Sequence, residues 1–217
     1  LGWATDSYSE GAAASEVSHR LHEVVFGALF SLALVGAVTQ LGKPRRNRAG
    51  LLQLVATIAT LSLMVVLTVR WDLGLLLYLI PLVFVLTLVD RRRPWTEGPI
   101  WWWGAVLTGL ALLPFLSDVA GQVGRAISEA QNHTTHWSTM AAFNLVLLLM
   151  GTVVTLRFTG YRVVGFSLAG AAGAYGLASL LFPYDASSHR VEYSAGLLLW
   201  ALLWVGDRKS TRLNSSH

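Results

Sequence analysis

The 217-residue chain contains no cysteine. That excludes a disulfide framework, a thiolate metal site and a thiol redox pair. Charge is also scarce: Asp, Glu, Lys and Arg make up 13% of the residues, against roughly 25% in soluble domains. Lysine is almost missing, with Lys43 and Lys209 the only two. A retinal Schiff base needs a lysine in the last helix of a seven-helix bundle. "VEYSAGLLLWALLWVG" has none, so retinal is excluded. No buried acid–base dyad, Gly-rich phosphate loop or Ser/His/Asp set is apparent. The net charge of +4 leaves no basic footprint for nucleic acid.

What remains is apolar: 54% of the chain, with nine Trp. A helix needs about 20 apolar residues to cross a bilayer, and about 17 suffice. Seven segments qualify: 22–42, 50–69, 73–89, 100–117, 138–156, 163–182 and 191–206. Segments so uniformly apolar leave no polar face for water. The expected fold is all-α, a polytopic membrane protein with a seven-transmembrane-helix bundle. Residues 1–21 form an outer N-terminal segment and 22–206 the transmembrane domain. The first segment is no cleaved signal peptide, because it lacks a basic n-region and is too long for an h-region.

The stretch "DRKSTRLNSSH" (207–217) is unlike everything before it and resembles the conceptual translation of a sequencing adapter. It is set aside as a scar, so the natural C-terminus is expected to be missing. The start at Leu1 suggests the same of the N-terminus. The Ala/Val/Leu/Arg-rich style suggests a bacterial inner membrane. The lipid bilayer is the one partner implied, and the oligomeric state is left open.

Lys and Arg concentrate in cytoplasmic loops. Here they fill alternate connections: "KPRRNR", "DRRRPWTEG", and the pair Arg157 and Arg162. The intervening connections hold Arg70 with Asp72, Arg125, and Arg190. The N-terminus is therefore expected outside and residue 206 inside. "WWW" at 101–103 reads as an aromatic anchor at the inner interface. On this topology every histidine before the tail lies on the outer face.

"HRLHEVVFGALFSLALVGAVTQL" and "HTTHWSTMAAFNLVLLLMGTVVTL" share an H-x-x-H, an apolar run and G-[AT]-V. Their first histidines, His19 and His133, differ by 114 positions, as do Arg48 and Arg162; Asp72 falls within one residue of Asp185. Segments one to three and five to seven are thus candidate parallel repeats joined by the fourth. Such repeats, related by an axis along the membrane normal, occur in transporters. The layout is similar to that of SWEET-type sugar carriers in architecture alone. Their Pro-Gln signature is absent, since Pro81 and Pro183 are followed by Leu and Tyr.

Imidazole is the commonest metal ligand, and two at i and i+3 share a helix face. The candidate ligands are His19, His22, His133, His136 and His189. Glu16, Glu23, Glu129, Asp185 and Glu192 are placed to orient or complete them. Without thiolates such a set suits Zn, Cu or non-haem Fe; bis-histidine haem is also open. Helix N-termini near the histidines favour neutral, ligating imidazole and would also attract an anion. Incidental interfacial histidines are the bland alternative. Gln53, Asn144 and Tyr175 are polar groups inside spans, candidates for a cavity or for helix–helix hydrogen bonds. Gly165, Ala169 and Gly173 permit close helix approach. The functional expectation is a metal- or haem-binding membrane protein, in cofactor handling or as a metalloenzyme. The alternatives are a small-solute carrier built from 3+1+3 repeats and a structural membrane protein.

Because the chain has no cysteine, single introduced cysteines report topology against no background. Gln131→Cys should react with a membrane-impermeant thiol reagent in intact cells, and Arg46→Cys should not. Labelling of Arg46→Cys would reverse the orientation.

Overall fold

A computed structural model of the chain describes residues 20–42, 47–68, 96–128, 134–184 and 188–206. The described residues form six helices: α1 (Arg20–Gly42), α2 (Arg48–Thr68), α3 (Trp102–Ser128), α4 (Thr134–Thr155), α5 (Tyr161–Leu181) and α6 (Val191–Gly206). They match six of the seven predicted segments. The remaining one, 73–89, lies outside the described residues. Four of the helices are long and apolar enough to cross a membrane; part of α2 and all of α6 form shorter apolar helices.

The exterior carries the same message as the composition. Along α1, Leu21, Val25, Leu29 and Leu32 are buried, whereas Phe26, Phe30, Leu34, Val38 and Leu41 form an exposed stripe. On α3, Leu107, Ala111 and Phe115 face inward, and Leu110, Leu113 and Leu116 face out. Apolar surface of this extent is stable only against lipid or another protein. The chain is a helical protein of the kind that spans membranes.

α4 is the centre. Met140, Ala141, Ala142, Phe143, Val146, Leu147 and Val154 are all fully buried, as expected for a helix that is apolar all round. It packs against α2, α3 and α5, while α1 packs against α2 and α5, so α1, α2, α4 and α5 make an inner group. α3 lies on α4, and α6 lies on α5. Helix direction alternates within the inner group. At one end the Arg20 guanidinium of α1 sits over the Phe182 ring just after α5, 5.2 Å from its centroid. The Arg125 guanidinium of α3 sits over the Trp137 ring of α4 at 5.0 Å. At the other end Ala49 N–H donates to the Thr159 carbonyl and Trp101 N–H to the Thr155 carbonyl, both at 2.9 Å. The turn between α4 and α5 passes through left-handed backbone at Arg157 (φ 52) and Gly160 (φ 85).

Polar ties within the bundle are few and specific. Gln53 of α2 donates to the Leu32 carbonyl of α1 at 2.6 Å. Its side-chain oxygen accepts from Ser167 of α5 at 2.9 Å. Gln53 and Ser167 are 114 positions apart, the same offset that separates His19 from His133. Trp200 Nε1 of α6 donates to the Leu107 carbonyl of α3 at 2.9 Å.

Two boundaries differ from expectation. The fourth segment was expected to end at residue 117, but α3 continues to Ser128. Asp118, Gln122 and Arg125 therefore lie on a helix, where the i, i+4, i+7 spacing puts them on one face. Arg48, expected in a basic loop, is the first residue of α2 and is buried.

Close helix approach occurs at Gly36 and Gly176. A Cβ on Gly36 would lie 2.8 Å from the Gly50 carbonyl oxygen of α2, and one on Gly176 would lie 3.0 Å from the Ser194 carbonyl oxygen of α6. Gly173, singled out by its spacing, meets only the Ala201 methyl, at 3.7 Å. Backbone atoms cannot swing aside as a side chain does. Gly36→Ala should therefore destabilise the detergent-solubilised protein by about 1–3 kcal/mol, the usual range for overpacking. Gly27→Ala, whose Cβ meets nothing within 4 Å, should hold or slightly raise the melting temperature, because alanine favours a helix over glycine. Equal melting temperatures for the two variants would contradict the close α1–α2 contact.

Candidate functional site

Asp118 stands three turns before the end of α3, on the side facing α4 and α6. One of its oxygens, Oδ2, accepts a 2.5 Å hydrogen bond from the Asn144 amide of α4. The same oxygen lies 3.6 Å from His189 Nε2, with both side chains about 15% exposed. The other oxygen accepts a long 3.4 Å bond from Gln122, one turn further along α3. A carboxylate embedded among apolar helices is costly unless it is paired. Here the pairing groups come from three different elements.

His189 is held in place by serines. Its backbone N–H donates to Ser179 Oγ near the end of α5 at 2.9 Å. Ser188 and Ser194 bond the same hydroxyl at 3.1 and 3.0 Å. The short connection from α5 to α6 is thereby tied down at three points. Rings enclose the imidazole: Tyr193 of α6 lies 4.1 Å away between centroids, and Tyr175 of α5 meets it edge-on at 5.6 Å. Phe143 of α4 in turn packs edge-on against Tyr175 at 5.4 Å. Burial holds the His189 imidazole below its ordinary value; the nearby Asp118 charge opposes this and the Arg125 charge adds to it.

The chemistry of this centre lies in what its polar atoms leave unused. Asn144 Oδ1, Gln122 Oε1, His189 Nε2 and Tyr193 Oη are each buried without a hydrogen-bond partner among the described residues. A buried polar group without a partner costs about 1–3 kcal/mol, and folded proteins hold few of them. His189 Nε2 faces the Asp118 carboxylate as an ion pair, which leaves Asn144 Oδ1, Gln122 Oε1 and Tyr193 Oη as two acceptors and one hydroxyl without hydrogen bonds among the described residues.

The expected metal ligands are distributed as follows. His19, His133, Glu16, Glu129 and Asp185 lie outside the described residues. His22 is in the first turn of α1, with the Phe26 ring 6.4 Å away, and Glu23 beside it is exposed. His136 is in the first turn of α4, and exposed Glu192 is in the first turn of α6. The helix starts bearing His22 and His136, together with His189, share one end of the bundle. Among the described residues no three of His, Asp or Glu gather as a metal-binding group. Asn144 is in the centre built on Asp118, Tyr175 walls it, and Gln53 serves the tie between α1, α2 and α5; all three are fully buried.

Sequence reasoning missed Asp118, Gln122, Arg125 and Tyr193 as site residues. The available signal is the polar stripe of the first three at helical spacing, which begins just past the apolar run that ends at residue 117.

No protein-family model matches the chain, and no curated protein and no solved structure matches it.

The lowered His189 value fixes the sign of a pH effect. The fold favours neutral imidazole, so the unfolded chain binds more protons just below the ordinary value of 6.5. Stability should rise with pH through that window and level off above it. Asp118, Arg125, Tyr175 and Tyr193 are the groups facing the imidazole, and none is altered in His189→Gln. That variant should lose this part of the pH slope in thermal unfolding. An unchanged slope would show that His189 is not buried as a neutral group.

Proposed function

We propose that this chain is an integral membrane protein whose working part is a protonatable binding centre built on Asp118 and His189. The observation that carries this reading is the buried Asp118–His189 ion pair, with three nearby polar atoms, Asn144 Oδ1, Gln122 Oε1 and Tyr193 Oη, buried without a hydrogen-bond partner among the described residues. An ionisable group inside a membrane bundle serves function more often than packing. Packing alone would favour an apolar residue here, because a buried pair repays its desolvation only when fully hydrogen-bonded. In this reading Asp118 and His189 exchange a proton with a ligand or with each other, while Asn144 and Gln122 hold the carboxylate in position.

The topology proposed with it is the seven-span arrangement, N-terminus outside. Its support is geometric. α2 ends and α3 ends at the histidine-bearing end: Met64 packs with Ala141 and Ala142 of α4, next to Val119 and Val123 of α3. Two consecutive helices running the same way require one return crossing between them, which fits the apolar segment 73–89. The Gln53–Ser167 hydrogen bond supports the repeat, because equivalent residues meet at a two-fold axis. Arg48, Arg157 and Arg162 at the opposite end support placing that end in the cytoplasm.

A second reading keeps a metal or haem shared by His19, His22, His133, His136 and His189. One observation favours it: α1, α4 and α6 all begin at one end of the bundle. Metal and haem content of the purified protein decides it, stoichiometric metal supporting it and none refuting it.

The protonatable centre is tested by infrared difference spectroscopy during a pH step. Wild-type protein should show a carboxyl band that Asp118→Asn removes and His189→Gln shifts in its titration. A spectrum indifferent to both variants would overturn the proposal.

A further inference from the structure

The turn from α4 to α5 gathers charge of one sign. Arg157 Nη2 donates to the Tyr161 hydroxyl at 3.2 Å, and its guanidinium lies 5.3 Å from the ring centroid. The Arg162 guanidinium lies 6.0 Å from the same centroid and also reaches that hydroxyl. Two cations thus converge on one neutral oxygen, where they repel each other. One carboxylate stands by. Glu97 Oε1 accepts from the Gly160 N–H at 3.3 Å, and the Glu97 charge attracts Arg162. Two guanidiniums against one carboxylate leave a surplus of one positive charge. Arg157 keeps its place in left-handed backbone (φ 52), which a bulky residue rarely adopts. Backbone of this kind clusters at binding sites.

The surroundings set the depth. Glu97 N–H donates to the Arg157 carbonyl at 2.7 Å and Trp101 N–H to the Thr155 carbonyl at 2.9 Å, so residues 97–101 run along the end of α4. Ile100, Trp102 and Trp103 are exposed there, and so are Val163 and Phe166 on the first turns of α5. Indole rings gather at headgroup level. Arg162 and Phe166 are four residues apart and share one face of α5, the charge at its end and the apolar ring one turn below. A soluble anion has no use for that apolar margin, whereas a phospholipid uses both parts. The surplus of one positive charge matches the single negative charge of a phosphodiester. Guanidiniums suit phosphate oxygens through paired N–H donors. The Tyr161 oxygen accepts from arginine and still has its O–H to donate.

We infer that this turn binds the headgroup of an anionic phospholipid, its phosphate held by Arg157, Arg162 and Tyr161 Oη and its acyl chains against Val163 and Phe166. The inference is independent of the Asp118 centre. It needs only that these helices cross a bilayer, and the proposed topology makes the leaflet the cytoplasmic one.

The test uses the full chain in neutral detergent micelles, titrated with phosphatidylglycerol or with phosphatidylcholine. Native mass spectrometry reads retained lipid, and thermal unfolding reads the stability that binding adds. Wild type should retain one phosphatidylglycerol in preference to phosphatidylcholine and melt higher with it. Arg157→Gln combined with Arg162→Gln should weaken retention about tenfold or more, the scale of one charge-assisted hydrogen bond. The same double variant should melt alike in the two lipids. Any stability that it loses in both lipids cancels in that difference. Arg190→Gln, at an exposed arginine of the opposite end, should behave as wild type. Glycerol phosphate and inorganic phosphate should not displace the lipid. Equal retention of the two lipids by wild type overturns the inference, as does an unchanged preference in the double variant. An equal loss in Arg190→Gln would reduce the effect to diffuse charge attraction and overturn it too. Displacement by glycerol phosphate or inorganic phosphate at the lipid's own concentration would assign the arginines to a soluble anion and refute the lipid site.

Discussion

A carboxylate inside an apolar bundle must find partners, and Asp118 finds them on elements far apart in the chain. Asn144 reaches it from α4 and His189 from the connection before α6. Because α3 packs mainly on α4 and α6 mainly on α5, these polar contacts help join the outer helices around the central one. The Trp200 bond to the Leu107 carbonyl is the second such join, lower in the bundle. Between the two joins the helices part and leave an open groove.

Hydrophobic burial cannot by itself hold helices together in lipid, since lipid tails are as apolar as leucine. The inner group relies on close packing and a few hydrogen bonds. Gly36 lets α1 approach α2, and Gly176 lets α5 approach α6. Gln53 binds α1 and α5 at once. The serine cluster of Ser179, Ser188 and Ser194 does comparable work at the histidine-bearing end, where it fixes the backbone of His189. An imidazole anchored so firmly loses little further freedom when a ligand arrives.

The helices were legible because apolar runs of span length have few alternatives. Six of the seven segments coincide with helices to within a few residues at most boundaries. The exception is instructive. Asp118 breaks the apolar run after residue 117, although "DVAGQVGRAIS" sustains a helix to Ser128. Hydropathy finds where a span is apolar, and a functional span is partly polar at its working end. The site was less legible for the same reason. Among the described residues His189 meets a carboxylate, and that partner lies 71 positions earlier at Asp118. Gln53 shows the converse: a polar residue noticed in the sequence whose side chain is used by helix packing. Which of two polar residues meets a ligand and which meets a backbone carbonyl depends on tertiary contacts that no local spacing encodes.

Asp118 of α3 and His189 of the connection before α6 are proposed to act as one unit. A double-mutant cycle in thermal or denaturant unfolding measures this directly, with Asp118→Asn, His189→Gln and the pair. Groups in one polar network couple by about 0.5–3 kcal/mol, whereas independent sites add to within about 0.3–0.5 kcal/mol. A coupling inside the first range is the predicted result, and additive single effects would contradict the account.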